Sequence, residues 1–335
     1  MEQFCINILG AKVKYISDIP LKHYYLSNKE YMEFYNANII ENDNYSDYIV
    51  EYHNSKNLDN PLIIEKNKMI INYPFEELSE SIILYMGYHF LEKQLGILGI
   101  CSCHSACIEK NGIATLLIGE AGAGKTSLAI NLCINNGFNL ISNDMTLVGS
   151  ANNKLFAYGG TKFINLRLLS VEQNMPYLLY LFKDEQNDSW ISKKTILAKD
   201  IGIEENYNII PIKNILFIHV DNRNHINVSN GDTWRNNFLL YQNLSSHIRG
   251  NAATFIDKKG HPIDYIPSFD SKEIYDLRMN IINLINSSNN YFNITGNLDE
   301  IINFINNQNE QNNDIINLER KRKWKKMTYL IRMKN

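Results

Sequence analysis

The sequence predicts an α/β fold with a mixed sheet, preceded by a small β-rich lobe. Three observations predict this class. Residues 115–132 run from an apolar strand through a glycine-rich loop into a helix. Residues 1–75 alternate short apolar runs with polar turns, and an Asn111-Gly112 pair separates two further apolar runs. The first pattern is typical of α/β units, and the other two are typical of antiparallel strands.

The N-terminal lobe is predicted to span residues 1–95. Its strand-like runs are Phe4–Leu9, Val13–Ile16, Asn38–Ile40, Tyr48–Tyr52, Pro61–Ile64 and Met69–Tyr73. Polar turns such as 41–44 separate these runs. Apolar residues at helical spacing over Glu76–Gln94 predict a helix that links the lobe to the rest of the chain.

The glycine-rich loop matches the pattern G-x-x-x-x-G-K-[ST]. It consists of Gly119, Glu120, Ala121, Gly122, Ala123, Gly124, Lys125 and Thr126, and Ser127 continues into the helix. Glycines let the backbone turn its N–H groups toward a phosphate, the lysine adds a cation for the outer phosphates, and the threonine hydroxyl can ligate Mg²⁺. These residues are therefore predicted to bind a nucleoside triphosphate, with ATP and Mg²⁺ as cofactors. The alternative is a glycine-rich turn with a structural role only.

The Asn111-Gly112 pair predicts a β-hairpin ahead of the loop. The strand that enters the loop is then antiparallel to the strand before it. In the usual nucleotide-binding sheet, helices connect parallel strands. The hairpin therefore predicts a mixed sheet.

Two aspartates follow apolar strands and compete for a catalytic or metal-binding role. Asp144 ends the run 138–143 and is predicted to contact the metal or the attacking hydroxyl. Asp221 ends the run 215–220 and fits the strand-then-Asp pattern that holds Mg²⁺ in ATPases and GTPases. Asp144 is favoured because it lies one helix beyond the loop. A strand-end turn or a helix cap is the structural alternative for either residue.

Three cysteines and a histidine lie close together at Cys101, Cys103, His104 and Cys107. A zinc site would need a second pair of ligands elsewhere, and the sequence shows no such pair. Burial in an apolar strand is the favoured explanation for the cysteines. His104 is predicted to lie in the strand that forms the hairpin with the loop strand, close to the phosphates.

Composition limits the functional classes. The 335 residues carry a formal net charge of -3 and are 44% hydrophobic, which argues against a nucleic acid as the partner. No apolar run reaches the length of a membrane span, and the N-terminus has no signal-like apolar core. Five cysteines without a secretion signal favour a reducing cytoplasm. A cytoplasmic protein is expected, and homo-oligomerisation stays open.

The order of these motifs resembles the C-terminal catalytic domain of HPr kinase/phosphorylase and the wider HPr-kinase-like proteins, including those encoded with ribosomally made peptides such as lasso peptides. The motifs that carry the resemblance are His104-Ser105-Ala106, a short hairpin, Gly119–Thr126 and Leu140–Asp144. Order and spacing match over 96–148, and weaker similarity continues at 159–167, 209–217 and 291–304.

The resemblance implies a kinase with a fold like that of phosphoenolpyruvate carboxykinase, which transfers the γ-phosphate of ATP to a serine or threonine hydroxyl of a peptide or protein. It implies that Lys125 and the loop amides hold the phosphates, that Thr126 and Asp144 bind Mg²⁺, and that His104 lies beside the transferred group. Relatives usually have two consecutive acids at the Asn143-Asp144 position, and Asn143 cannot accept a proton from the acceptor. The signature of the phosphorylase activity is not recognisable, so nothing implies HPr itself as the substrate.

The remainder of the chain is less informative. An extra cation for the transition state could come from Arg167, Lys162, Arg235 or Arg249, although each also fits a solvated surface charge. Residues 96–304 are predicted to form the catalytic domain, and 305–335 an Asn-rich linker with a basic tail. The tail, Leu318–Arg332, is either a solvated terminal helix or a docking arm for an acidic partner.

Two other functions stay open. The chain could be a nucleotide-gated binding or regulatory protein in which Asn143 has removed the chemistry; it would then bind ATP·Mg²⁺ without turnover. It could also be a kinase of a small metabolite, which differs from a peptide kinase only in its acceptor.

Overall fold

The computed structural model describes residues 1–27, 37–40, 46–57, 59–78, 80–183, 189–221, 223, 225–246, 248–249 and 255–308. Within them the chain is a mixed α/β protein with two main sheets, one of six strands and one of nine. The predicted basic tail lies outside the described residues. None of the helices in the described part of the chain is long and apolar enough to cross a bilayer.

The N-terminal sheet has six strands: β1 (Glu2–Ile8), β2 (Ala11–Ser17), β3 (Asn38–Ile40), β4 (Ile49–Asn54), β5 (Leu62–Ile64) and β6 (Lys68–Tyr73). Their order is β3-β1-β2-β4-β6-β5, and β4 is parallel to both of its neighbours. The strands predicted from the sequence are confirmed, with small shifts at their ends. Helix α1 (Leu21–Ser27) was not predicted, and the helix predicted over Glu76–Gln94 is α2 (Glu80–Ile97).

Helix α2 packs directly on this sheet. Val13 and Tyr15 of β2 are buried, whereas Lys14 between them is partly exposed, as the two-residue period of a strand requires. The Tyr15 hydroxyl donates to the carbonyl of Leu84 on α2 at 2.8 Å. A Cβ on Gly87 would lie 1.9 Å from the same hydroxyl. Glycine at this position therefore allows the helix to approach the sheet.

The remaining strands are β7 (Ile100–His104), β8 (Ala106–Lys110), β9 (Ile113–Ile118), β10 (Asn139–Ser142), β11 (Met145–Ala151), β12 (Lys154–Gly160), β13 (Phe163–Arg167), β14 (Lys193–Leu197), β15 (Ile210–Val220), β16 (Asn227–Asn230), β17 (Phe255–Ile256), β18 (Pro262–Asp264) and β19 (Tyr291–Gly296). Two short ribbons, β13-β14 and β17-β18, lie outside the larger sheet.

The larger sheet has two halves that meet at β15. One half has the order β10-β8-β9-β15-β19-β16, and the other has the order β7-β11-β12. Strands β9, β15 and β19 are parallel, β8 is antiparallel to β9, and the start of β15 pairs with β12. The predicted mixed sheet and the hairpin at Asn111-Gly112 are confirmed, with both turn residues at positive φ.

Helices cover both faces of the half that contains β9. They are α3 (Lys125–Asn136), α4 (Leu168–Asn174), α5 (Trp234–Asn243) and α6 (Lys272–Asn286). The core on one face contains Leu117, Leu128 and Leu216, and the core on the other contains Leu116 and Leu240. The sheet is therefore the middle layer, with α3 on one side and α5 and α6 on the other.

The single strand predicted between residue 96 and the hairpin is in fact two strands. β7 ends at His104 and pairs with β11, whereas β8 begins at Ala106 and pairs with β9 and β10. The chain passes from one half of the sheet to the other at Ser105. The prediction that His104 lies in the hairpin strand is therefore wrong. His104 lies on β7 in the other half of the sheet, in register with Met145.

The chain crosses between the halves again at Asn143-Asp144, between β10 and β11. The two crossings are neighbours, because the amide of Ser105 donates to the carbonyl of Asp144 at 2.9 Å. The Oγ atoms of Ser105 and Ser142 lie 2.8 and 2.6 Å from Oγ1 of Thr146. These three side chains are fully buried, and the hydroxyls of Ser105 and Thr146 also donate to the main-chain carbonyls of Cys103 and Ser105.

The lobe and the larger sheet share one hydrophobic core. Tyr15 and Phe90 belong to the same buried cluster as Ile100, Met145 and Leu147. The lobe is thus packed against β7 and β11, the two strands that carry the crossings.

The last helix of the described residues extends past 304, the predicted end of the catalytic domain. Residues 298–308 are helical, so 305–308 belong to the helix rather than to the predicted linker. Ile301 and Ile305 are buried in the core beside α3.

Replacing Thr146 by valine is expected to lower the free energy of unfolding by about 1–3 kcal/mol, because two buried serine hydroxyls lose a partner while the shape is kept. Thr195→Val is the matched control, because Thr195 is exposed on β14; its effect should stay within about 0.5 kcal/mol. Urea unfolding measures both variants. Equal stability of the two variants would contradict the role of the hydroxyl network.

Candidate functional site

A cavity of about 780 Å³ opens where β9 and β15 end. Its lining includes loop residues 121–127, together with His104, Asn143, Asp144 and Asp221. Gly119 and Glu120, at the start of the loop, are not part of this lining. The carboxyl ends of parallel strands form one edge of a sheet, and ligands of α/β proteins bind there. The cavity therefore brings together the residues that the sequence selected separately.

Two glycines allow the loop to pack on the end of β15. A Cβ on Gly119 would lie 2.7 Å from the carbonyl oxygen of Ile218, and one on Gly124 would lie 2.5 Å from Cγ2 of Val220. Gly124 also has a φ of 89°, which other residues rarely adopt. The amide of Val220 donates to the carbonyl of Ala123 at 2.9 Å. These contacts fix the loop to its neighbouring strand.

Helix α3 begins at the cavity. Its first residues, Lys125, Thr126 and Ser127, line it, and Gly124 gives no side-chain cap to their amides. The first amides of a helix have no acceptor within the helix. Together with the helix dipole, such amides attract an anion.

The ammonium group of Lys125 lies inside the loop. Its Nζ donates to the carbonyls of Gly119 at 3.0 Å and Glu120 at 3.1 Å. Burial lowers the pKa of Lys125, while the carboxylate of Asp144 acts in the opposite direction. A bound anion would add to the effect of Asp144 and favour the charged lysine. The site is therefore suited to a negatively charged ligand.

Asp144 and His104 form a pair at the crossings. Oδ1 of Asp144 lies 3.4 Å from Nε2 of His104, and both side chains are partly exposed in the cavity. Asp144 has a φ of 74°, in the left-handed region that aspartate tolerates better than most residues. Backbone strain of this kind persists when the surrounding structure fixes it. The crossing at Ser105 supplies that restraint.

Asn143 contributes an acceptor atom to the cavity wall. Its amide donates to the carbonyl of Thr161 at 2.8 Å, and its Nδ2 donates to the carbonyl of Phe163 at 3.4 Å. Oδ1 is buried without a hydrogen-bond partner among the described residues. The side chain is therefore well held, but an amide oxygen cannot serve as a base near neutral pH.

Asp221 lies in the same cavity as Asp144. Its Oδ1 accepts from the amide of Arg223 at 3.0 Å, and its Oδ2 lies 2.9 Å from Nε of Arg223. Asp144 and Asp221, which the sequence offers as alternatives for one role, thus both line the cavity. They differ in their basic neighbour, which is a guanidinium for Asp221 and an imidazole for Asp144.

The four candidate cations have different positions. Arg167 lines the cavity. Lys162 is fully buried and donates to main-chain carbonyls, including that of Asn206 at 2.8 Å, which is a structural role. Arg249 lies over the ring of Tyr241, 6.0 Å from its centroid, and is not part of the cavity lining.

The fourth cation, Arg235, reaches the loop from α5. Its Nη2 lies 2.5 Å from Oε1 of Glu120, and both side chains are substantially exposed. An uncompensated carboxylate in the loop would repel a phosphate ligand. Arg235 balances that charge and connects α5 to the loop.

The cysteines behave as buried apolar side chains. Cys101, Cys103 and Cys107 are free thiols, and burial raises the pKa of each, to about 12 for Cys103. No cluster of three or more His, Cys, Asp or Glu side chains that could hold a metal occurs among the described residues. Cys101, Cys103 and Cys107 all lie in the hydrophobic core, which supports the structural explanation of this segment.

The sequence did not identify the second wall of the cavity. That wall contains Asn165 and Arg167 at the end of β13, Ser170 and Gln173 on α4, and Trp190 before β14. Asn165 and Arg167 lie in the segment 159–167 of weaker similarity, whereas Ser170, Gln173 and Trp190 belong to no motif. The one signal in the sequence is a tryptophan inside a polar segment, and a tryptophan in such a place does not by itself indicate a binding site.

No protein-family model matches the chain, and no curated protein matches it either. The solved structures similar to it include the Hpr(Ser) kinase/phosphatase from Coxiella burnetii, with 18% sequence identity and a TM-score of 0.24. That match covers 35% of this chain and 63% of the other, so the chain spans less than two thirds of the length of that protein. A TM-score this low does not define the activity or the ligand of the chain.

Arg235→Ala is expected to weaken the binding of a polyphosphate such as ATP·Mg²⁺ about twofold to fivefold, because Glu120 loses its counter-ion. The double variant Glu120→Gln/Arg235→Ala should recover the affinity. Isothermal titration calorimetry of the single and double variants measures the coupling. An equal loss with and without the Glu120 carboxylate would show that the pair does not influence the loop.

Proposed function

We propose that the chain is an ATP-dependent phosphotransferase that phosphorylates a serine or threonine hydroxyl of a peptide or protein, such as the precursor of a ribosomally made peptide. One observation carries the proposal: a single cavity holds the loop lysine, the start of α3, two aspartates and a histidine. Phosphoryl transfer depends mainly on positioning and on electrostatic stabilisation, which such a set can supply.

The residues present fit a triphosphate with Mg²⁺. In this proposal Lys125 and the first amides of α3 hold the phosphates. The hydroxyl of Thr126 and the carboxylate of Asp144 hold the metal, with Asp221 in the same cavity. Protein sites for Mg²⁺ commonly use one or two carboxylates and leave the other positions to phosphates and water. When bound, the metal would supply positive charge that stabilises the phosphate oxygens.

The proposed transfer forms one bond, breaks one bond and releases one proton. The acceptor oxygen forms a bond to the γ-phosphorus, the bond from that phosphorus to the β–γ bridging oxygen breaks, and the hydroxyl proton passes to a base. Asn143 cannot accept the proton. Asp144 is assigned as the base, since its carboxylate lies in the cavity and His104 Nε2 is 3.4 Å away to stabilise it or take up the proton.

The test is transfer of phosphate, followed by mass spectrometry. The full chain is incubated with ATP, Mg²⁺ and short peptides that contain serine or threonine, and an increase of roughly 80 Da marks the addition of a phosphate. Lys125→Ala should abolish transfer, and Asp144→Asn should lower kcat by about 10²–10⁴-fold. Asp221→Asn should cost less, because it does not remove the proposed base.

Lys154→Ala is the matched control for the lysine, because Lys154 is exposed on β12. It should keep full activity. Activity of Lys125→Ala equal to that of Lys154→Ala would refute the role of the loop.

A second function is favoured by Asn143. This buried amide stands at the cavity wall where an acid would supply a base, and its Oδ1 has no partner among the described residues. A nucleotide-gated binding protein with little catalysis would have the same loop. Such a protein would bind ATP·Mg²⁺ tightly, and no acceptor would be phosphorylated.

Asn143→Asp distinguishes these two functions. If the chain is a kinase that uses Asp144 alone, a second carboxylate should raise kcat, because either acid can then take the proton. If the chain has lost its chemistry at this position, the variant should gain transfer that the native chain lacks. Rates measured with the same peptides decide, and Asn227→Asp, which is exposed on β16 and outside the cavity lining, is the control. If Asn143→Asp transfers no phosphate while the native chain does, a proton-accepting role for this position is contradicted.

A further inference from the structure

We propose that the second wall of the cavity is the acceptor site, that it takes a peptide rather than a small metabolite, and that Trp190 packs on an apolar residue beside the phosphorylated hydroxyl. This inference rests on the proposed function and names the substrate class that the loop alone leaves open.

The cavity has two walls of different chemistry. The loop wall carries Lys125 and the helix start, which suit phosphates. The facing wall is formed by neutral amide and hydroxyl side chains together with apolar ones, and Arg167 is its charged residue. Amide side chains can both donate and accept hydrogen bonds, which is what a peptide backbone requires. The second wall is thus suited to a largely uncharged chain rather than to a second phosphate.

Trp190 extends this wall out of the cavity. It lines the cavity and yet is 67% exposed, and the next residue, Ile191, is 72% exposed. Large aromatic and aliphatic side chains at the mouth of a site gain free energy when a ligand covers them, and tryptophan is prominent among such anchors.

The position of Trp190 is fixed by the main chain on both sides of it. The amide of Leu169 donates to the carbonyl of Ser189 at 3.1 Å, and the amide of Leu168 donates to the carbonyl of Ser192 at 3.0 Å. These bonds join the segment to the first turn of α4, which contributes further residues to the wall. The aromatic ring is therefore presented from a defined backbone and not from a free loop.

The extent of the second wall distinguishes a peptide acceptor from a small-metabolite acceptor. A small hydroxyl compound would be covered by the 780 Å³ cavity that it shares with the nucleotide. It would leave Ile191 uncovered. A peptide can place its hydroxyl in the cavity and continue along the exposed apolar residues outside. This placement predicts selection for a large apolar side chain next to the serine or threonine.

The experiment is a peptide library with a central serine or threonine and each flanking position varied in turn. The full chain, ATP and Mg²⁺ are incubated with the library and, in parallel, with free serine, glycerol and glucose. We expect phosphorylated peptides with a large apolar residue near the hydroxyl, and no phosphorylation of the small compounds. Trp190→Ala should raise the KM for the best peptide about tenfold or more, with kcat and the affinity for ATP unchanged.

Two further variants serve as controls. Trp190→Phe should keep most of the activity, because an aromatic surface remains. Trp234→Ala removes a tryptophan that is 82% exposed on α5 and outside the cavity lining, so it should change nothing.

The outcomes separate this inference from the proposed function. Phosphorylation of small compounds but not peptides, or of peptides equally well by Trp190→Ala and the native chain, would overturn the inference and leave the phosphotransferase intact. Failure of the native chain to phosphorylate any acceptor would overturn the phosphotransferase itself.

Discussion

The site depends on two neighbouring places where the chain changes from one half of the large sheet to the other. At the first, Ser105 separates β7 from β8; at the second, Asn143 and Asp144 separate β10 from β11. The bond from the Ser105 amide to the Asp144 carbonyl and the buried hydroxyl of Thr146 hold the crossings together. As a result, an imidazole and a carboxylate that are far apart in sequence are placed side by side at the end of the loop strand.

Electrostatics at the cavity follow a consistent arrangement. Three carboxylates lie at or near it, and each has a basic side chain as its neighbour: Glu120 with Arg235, Asp144 with His104, and Asp221 with Arg223. Lys125, by contrast, is held by carbonyl oxygens. The loop therefore keeps a cation for the ligand while the surrounding acids are balanced, and this is the arrangement that a highly charged anion requires.

Local patterns predicted much of this structure. Short apolar runs between polar turns located the strands of the lobe, the Asn111-Gly112 pair located the hairpin, and the spacing of Gly119, Gly124 and Lys125 located the loop. These features are set by short-range geometry, so they can be read from the sequence. The pattern of an apolar strand followed by an aspartate predicts a site role for both Asp144 and Asp221, because each residue follows the end of a strand and lines the cavity.

Long-range pairing could not be predicted in this way. The run 100–110 looks like one strand because it contains no glycine, proline or other turn signal, although its two halves pair with different partners. The ion pair of Arg235 with Glu120 joins residues 115 positions apart. Trp190 reaches the cavity through bonds to α4 that no local pattern encodes.

In the proposed function, the loop binds a nucleoside triphosphate with its metal. Isothermal titration of the full chain with ATP, in the presence and absence of Mg²⁺, tests it without any knowledge of the acceptor. We expect saturable binding that Mg²⁺ strengthens, that Lys125→Ala abolishes and that Lys154→Ala leaves unchanged. Absence of binding by the native chain, or binding that does not depend on Lys125, would contradict it.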